Sequence, residues 1–405
     1  MTNRQAAIEI LKRLRRNGFE ALLAGGCVRD MLLGRRAKDY DIATSARPED
    51  VTKLFKRTLK VGAKFGVVIV LLDQQQVEVV TFRTETGYLD GRHPTKISFA
   101  NAAEDASRRD FTINGMFYDP LEKEVIDYVD GRADLERKLL RTIGDPHERF
   151  GEDYLRMLRA LRFSTQLGFD IELQTWSAIC KKAVKITKIS GERIRMELES
   201  ILIDPNRAAG VKMVIESKLA ATIFPGFAGG QADFSVNVLS RLRKKVDFPL
   251  GLAGLFAGCE DEFAIEKMQI LKLSRNETKH AKFLLANRGK LLDEQMSLGR
   301  LRMILAGPYF RDLYELQRAI QRAGDKTVSP LIKLRKRIKA LGDIELRPRP
   351  LLNGRELIRL GAVSGPAMGQ LSEEMYIAQL EGKLQTKEQA EKWVSKWLQK
   401  HRVIE

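Results

Sequence analysis

Cysteine and histidine are scarce in this chain, at three and four among 405 residues. Cys27, Cys180 and Cys259 lie far apart and are odd in number, which argues against a disulfide framework and for a reducing compartment. The histidines are scattered, so no His/Cys cluster of metal-binding spacing forms. No apolar run reaches the roughly 18 residues of a membrane span. The opening MTNRQAAIEILKRLRR carries charges throughout, unlike a signal peptide. A soluble, cytoplasmic protein is expected, and low-complexity tracts and obvious repeats are missing. Acidic residues are also in deficit, 53 against 70 Lys+Arg, leaving a net charge of +17. Such an excess suits a polyanionic partner and salt-dependent binding, although a merely soluble basic protein would share it. The length implies more than one domain or an elongated assembly, and 44% hydrophobic residues suffice for a core.

What the chain does contain is concentrated first in Leu22–Ala43, LLAGGCVRDMLLGRRAKDYDIA. Ala21–Ala24 reads as a buried strand. Gly25-Gly26 then permits a close backbone approach, and Cys27–Leu33 reads as a short helix whose free N–H groups suit phosphate. Asp39-Tyr40-Asp41-Ile42 reads as the next strand, with the two carboxylates on one face. Paired like charges need a cation between them, and Mg²⁺ is the usual one where phosphates are handled. The bland alternative is a tight turn followed by two solvated acids. The ordered combination GGCVRD…DYDIAT resembles the nucleotidyltransferase signature of the tRNA CCA-adding enzyme and bacterial poly(A) polymerase family, a polymerase-β-like branch.

Residues 5–16 have helical apolar spacing, ended by Asn17-Gly18. Arg47-Pro48-Glu49-Asp50 opens a helix through Phe55. Phe65–Leu72 and Val77–Phe82 read as a hairpin joined through residues 73–76. The polar segment 83–99, with Gly87, Gly91, Pro94, Arg83, Arg92 and Lys96, reads as a mobile loop beside the site or an ordinary surface hairpin. It is similar to the flexible loop with which family members switch from C to A addition.

Ser107-Arg108-Arg109-Asp110-Phe111-Thr112-Ile113-Asn114 matches the family's second motif, with Gly115 where Ala is commoner. Arg109 is suited to neutralise a triphosphate as a bidentate donor. Asp110 is suited to accept from a ribose hydroxyl, and Asn114 to contact sugar or phosphate. A surface ion pair of Arg109 with Asp110 is the plain alternative. In DYVDGRADL, which ends the sheet region, Asp130-Gly131 reads as a turn and Asp134 as the cap of the next helix. From Arg137 onward strand signals vanish.

Glu152-Asp153-Tyr154-Leu155-Arg156-Met157-Leu158-Arg159-Ala160-Leu161-Arg162 falls in a helix expected over Asp153–Leu167. Tyr154, Met157, Leu158 and Leu161 share a core-facing arc; Asp153, Arg156 and Arg159 lie opposite, with Arg162 at the border. A solvated helix face is the ordinary reading, but the run resembles the family's Glu-Asp-x-x-Arg motif, in which side chains read the incoming base. The chemistry is self-consistent: a carboxylate accepts from an exocyclic amine while a guanidinium donates to the adjacent ring nitrogen. Cytosine and adenine present that pair; uracil and guanine present the opposite polarity. Ser190–Leu198 resembles the next motif, where Glu192 and Arg193 read as structural. Basic runs at 241–245 and 333–339 offer phosphate contacts, Arg347-Pro348-Arg349-Pro350 reads as a linker, and Thr386-Lys387-Glu388-Gln389 as a helix start.

The resemblance implies an α+β fold, with a polymerase-β-like nucleotidyltransferase head of mixed sheet (1–140) before an all-α neck (141–205), body (206–346) and tail (347–405). It implies template-independent addition of C, C and A to the tRNA 3′ end from CTP and ATP, with the acceptor arm as partner. Poly(A) polymerase or A-only addition are the alternatives. Asp39 and Asp41 would be catalytic and hold Mg²⁺. Gly26, Arg29, Arg109, Asp110, Asn114, Asp153, Arg156, Arg159 and Arg162 would bind the nucleotide. A third metal carboxylate is not identified. The His-Asp hydrolase segment of some relatives is missing, so phosphodiesterase activity is not expected.

Overall fold

The computed structural model describes residues 1–62, 66–88 and 94–401. They fall into two compact units, Met1–Val236 with Glu266–Leu273, and Asn237–Ile265 with Ser274–Glu405.

The first unit opens with α1 (Asn3–Arg16), started by a reciprocal Thr2/Gln5 capping box. Ala6, Ala7, Ile10, Leu11 and Leu14 are fully buried. Their spacing makes one stripe, and burying each large side chain contributes roughly 1.5–3 kcal/mol. There follow β1 (Ala21–Ala24), α2 (Gly26–Leu32), β2 (Asp41–Thr44), α3 (Pro48–Leu54), β3 (Thr58–Gly62), β4 (Val67–Leu72) and β5 (Gln75–Thr81). Next come β6 (Arg83–Tyr88), β7 (Pro94–Phe99), α4 (Ala102–Ser107), β8 (Phe117–Asp119) and β9 (Glu124–Ile126). Seven strands form a mixed sheet in the order β3-β4-β5-β2-β1-β8-β9, with β2 and β5 parallel. β1 and β2 sit in its middle. Leu22, Ala24, Ala43 and Phe117 on one side pack with Phe82, Ala102 and Ala106, which holds α4 beneath the sheet.

The β4–β5 hairpin forms as expected, but its turn is shorter. Asp73 and Gln74, at φ 47° and 63°, make a two-residue connection of the kind whose twist matches the strands. β6 and β7 pair as a separate two-stranded hairpin, so the flanks of segment 83–99 are strands. Its centre, including Arg92, lies outside the described residues, as does the side chain of Lys96.

Four expectations need correction. The strand expected from Asp39 starts at Asp41, because β1 ends at Ala24, the partner of Asp41, leaving Asp39 and Tyr40 no strand to pair with. Asp134 does not cap α5 (Gly131–Glu136): it is fully buried within it, accepting from Thr112 and Arg141. Asp127 takes the capping task instead, accepting from the N–H groups of Val129, Gly131 and Arg132. Strands do not vanish after Arg137, since β10 (Leu139–Leu140) pairs with β11 (Asp170–Ile171). Finally, Asp153 is not helical; it has extended backbone at the break between α6 (Pro146–Glu152) and α7 (Leu155–Leu167).

Beyond α8 (Leu173–Lys182), α9 (Gly191–Leu202) packs on α7 and completes the wall that concerns the site. The second unit is helical. Its last three helices, Gly354–Arg359, Pro366–Leu380 and Lys387–His401, enclose Leu371, Met375, Val394 and Trp397. The final helix starts where Thr386 accepts from the Gln389 N–H, as expected. Residues 347–350 are irregular.

Candidate active site

The site is built where β1 turns into α2. Gly25 has φ 73°, and a Cβ there would lie 3.0 Å from Arg109 Nη1. The backbone conformation therefore favours glycine, and a side chain there would press the Arg109 guanidinium aside. Gly26 carries less constraint, because a Cβ would meet nothing nearer than 3.7 Å. One helical turn on, Arg29 donates from Nη1 to Asn114 Oδ1 at 2.8 Å and from Nη2 to Asp30 at 2.7 Å.

Asp41 stands at the head of β2. The parallel register pairs Ile42 with Val79, so one step back Glu78 of β5 stands beside Asp41. Burial pushes the Asp41 carboxyl up to about 6, and the neighbouring charges of Glu78 and Asp39 push in the same direction against Arg109. Asp39 thus acts on Asp41 although it precedes the strand. Glu78 is the acid that sequence reading did not find. Its position in the alternation of β5 (QQVEVVT) was visible, but the parallel pairing with β2 was not.

The second motif folds around two carboxylates, one part-buried (Asp110) and one buried (Asp105). Asp110 accepts from the Phe111 N–H at 2.9 Å and Asn114 Nδ2 at 3.2 Å on Oδ1, and from Arg159 on Oδ2. Burial alone would raise its carboxyl, but the Arg159 guanidinium and these hydrogen bonds hold it below the usual range. Asp105, only 1% exposed, receives Arg108 and Arg109. Arg109 thus pairs with Asp105 and not with Asp110. Gly115 has a packing reason, since a Cβ there would sit 2.6 Å from Val129 and 2.9 Å from Ile143.

The α6–α7 break supplies the third side. Asp153 accepts from the Leu155 N–H at 3.0 Å and from Arg193 Nη2 at 2.8 Å. Arg156 donates to the Arg149 carbonyl at 3.0 Å and to Glu152. Arg162 pairs with Glu197 of α9 and donates to Gln166 at 3.2 Å. The guanidiniums of Arg29, Arg159 and Arg162 surround the Phe163 ring at 5.3, 5.5 and 4.0 Å.

These pieces enclose an open cavity of about 510 Å³. Gly26, Arg29, Asp41, Arg109, Asp110, Asn114, Asp153, Arg156 and Arg159 all line it; Asp39 and Arg162 do not. Glu78, Arg83, Arg108 and Arg193 join the wall without having been singled out for it, and Arg193, read as structural, faces the same space as Asp153. Among the described residues, seven arginines and four carboxylates line the cavity. That excess of positive charge suits a polyphosphate, while Asp41 and Glu78 in the wall, with the charge of Asp39 acting on Asp41 from outside it, suit a cation.

In the second unit, Arg243, Arg311, Arg335, Lys336 and Lys339 rim a groove of about 760 Å³ over Phe310, Tyr314, Ile332 and Ile338. Part of each expected basic run is used internally, Arg243 on Asp312 and Lys333 on Glu294. His280 stacks on Tyr309 with centroids 3.9 Å apart and lies 3.2 Å from Asp312. No described helix is long and apolar enough to cross a membrane.

Residues 21–141 match the poly A polymerase head domain, and residues 168–229 match the probable RNA- and SrmB-binding site of polymerase A. A CCA-adding enzyme of Lactobacillus johnsonii is 34% identical over 402 residues, covering 95% of each chain. One from Enterococcus faecalis is 46% identical over 213 residues, 52% of either chain. The structure is similar to that of the Bacillus stearothermophilus CCA-adding enzyme in complex with CTP, with 30% identity, 99% of both chains covered and a TM-score of 0.79.

Proposed function

The chain belongs to the CCA-adding enzyme family, and from that premise we propose that it adds C, C and A to the 3′ end of tRNA, using CTP and ATP without a nucleic-acid template. The 3′-hydroxyl of the tRNA attacks the α-phosphate, a new phosphodiester forms, the bond to the β-phosphate breaks, and pyrophosphate leaves. The single observation that carries this reading is one cavity presenting acids, arginines and the Asp153–Arg156 corner together.

Enzymes of this family use divalent metal ions, and Asp41, lifted to about 6 by burial first and then by the charges of Glu78 and Asp39, marks a place that a cation would relieve. Asp39, Asp41 and Glu78 are the residues that would hold it, with Mg²⁺ the cation proposed. When bound, Mg²⁺ supplies a lowered pKa for the attacking hydroxyl and charge neutralisation at the leaving oxygens. The chain itself does the rest. Gly25 and Gly26 let the backbone approach the phosphates, while Arg29 and Arg109 neutralise and orient them. Asp110 and Asn114 face the sugar. Asp153 accepts from the exocyclic amine and Arg156 donates to the ring nitrogen beside it, so CTP and ATP fit, whereas UTP and GTP set a carbonyl against the carboxylate and an N–H against the guanidinium. Arg159 fixes Asp110, and Arg162 supports α7 from behind. The division into head (1–140), neck (141–205), body (206–346) and tail (347–405) and a cytoplasmic setting accompany this reading. The basic groove over Phe310 and Tyr314 suits an RNA backbone.

The test is terminal addition to a tRNA lacking its CCA end, with each nucleotide alone and together. CTP alone adds two residues, and ATP completes the end only afterwards. The match to a poly A polymerase head makes a homopolymer of A the specific alternative; its appearance would overturn the proposal.

A further inference from the structure

Asp105 touches nothing that reacts, yet more cavity groups converge on it than on any sequence-predicted acid of the motif. It sits on α4, whose Ala102 and Ala106 are packed against Phe82, and only 1% of it is exposed. Its Oδ1 accepts from Arg108 Nε at 2.8 Å and from the Arg83 N–H at 3.3 Å; Arg108 Nη2 lies 2.7 Å away. Its Oδ2 accepts from Arg109 Nε at 3.2 Å and Nη2 at 2.9 Å. Arg109 spends one further donor on the Asn114 carbonyl at 3.4 Å. Its face also rests over the Phe117 ring, 4.9 Å from the centroid. The guanidinium is thus held from three sides against the Gly25 turn. Both arginines and Arg83 line the cavity. Burial would raise the Asp105 carboxyl, but Arg109 and Arg108 lower it, so it stays charged.

Resting on the nucleotidyl-transfer reading, we propose that Asp105 is the positioning residue of the triphosphate site, aiming Arg108 and Arg109 into the cavity and tying the root of the β6–β7 hairpin to the same anion. Two long side chains aimed by one rigid acceptor lose less freedom when phosphate arrives. The shared Oδ1 makes the hairpin root and the phosphate donors parts of one hydrogen-bonded unit.

The experiment compares wild type with Asp105→Asn and Asp105→Glu in the full chain, measuring binding of CTP, CMP and inorganic tripolyphosphate. CTP and tripolyphosphate affinities should fall roughly tenfold or more in Asp105→Asn, while CMP affinity stays within about twofold. The KM for CTP and ATP should rise with that for tRNA unchanged. Asp105→Glu keeps the charge but moves it, so it should restore thermal stability without restoring the CTP-to-CMP affinity ratio. A merely structural Asp105 would lower stability and leave that ratio alone; a folded variant with the wild-type ratio overturns the proposal. If Asp105→Asn does not fold, Asp105→Glu decides by the same ratio. Amide exchange at Arg83 and Thr84 should accelerate in the variants, and an unchanged rate overturns the hairpin link. Wild-type protein that binds CTP in this way but adds nothing to tRNA would sink the functional reading and not this one.

Discussion

Arg159 donates twice to a single oxygen of Asp110, from Nε at 3.0 Å and Nη2 at 2.7 Å. Asp110 belongs to the motif that follows α4, and Arg159 to α7, 49 residues later. The Asp110 charge in turn raises the Arg159 guanidinium above its ordinary value. This pair is the seam by which the sheet and the first helices share one cavity.

Breaking the seam should cost stability first. Asp110→Asn leaves Arg159 with only the more distant charges of Glu197, 4.0 Å away, and Asp153, and Asn114 with a poorer partner. Removing one member of a buried pair costs about 3–5 kcal/mol, and the 35% exposure of Arg159 reduces this to roughly 2–3 kcal/mol. Urea unfolding of Asp110→Asn, Arg159→Met and the double variant would measure it, the double costing much less than the sum. Single-nucleotide addition should also discriminate less between ATP and dATP in Asp110→Asn.

The raised Asp41 carboxyl gives a pH dependence of defined sign. Its proton is held more tightly in the folded chain, at about 6 against an ordinary 3.8. The associated stability is complete below 3.8 and is lost as pH rises through about 6. Metal-free protein should therefore gain melting temperature on acidification from pH 7 to 5. Asp105 and Asp110, with lowered pKa values, act oppositely only below their ordinary range. Asp41→Asn should flatten the profile between pH 7 and 5, which calorimetry in chelator would check.

Much of this site was legible because its chemistry is local. GGCVRD places a turn and an arginine within one helical turn, and RRDFTIN places Arg109, Asp110 and Asn114 on one short segment. Long-range pairing was not legible. Glu78 reaches the cavity wall only through the β2–β5 register, and Arg193 only because α9 returns to α7. The Asp153 misreading has a local cause. Its charge spacing continues the α7 pattern, but its side chain accepts the Leu155 N–H, and such an acceptor ends or begins a helix more readily than it continues one. The α6–α7 break interrupts the expected helical arc, yet Asp153 still reaches the cavity.

Glu78 can be separated from Asp41 by its charge alone. Glu78→Gln removes the larger of the two neighbouring charges that raise Asp41. The acid-side gain in melting temperature should therefore shrink, while Mg²⁺ or Mn²⁺ affinity falls because one acidic donor is gone. The two effects run in opposite directions for the bare and the metal-bound protein. Melting temperatures with and without Mn²⁺ at pH 7.5 would show it, the metal-induced increment being smaller in Glu78→Gln than in wild type. An undiminished increment would remove Glu78 from the cation's donor set.

Base selection offers the sharpest outcome, because a polarity is being reversed. The Asp153 carboxylate only accepts, and its geometry is set by the Leu155 N–H and by Arg193 at 2.8 Å. Asn at this position offers an N–H₂ to the base edge, which a carbonyl of uracil or guanine can accept. The same change deprives the amino groups of cytosine and adenine of a charged acceptor. Discrimination of CTP over UTP in single-nucleotide addition should fall on the order of 100-fold in Asp153→Asn. Arg193→Met should reproduce part of that loss, since Asp153 keeps its charge but loses the guanidinium that orients it. If Arg193→Met lowered addition of CTP and UTP equally, Arg193 would serve the fold of the wall and not the choice of base, and orientation of Asp153 would rest on the Leu155 N–H alone.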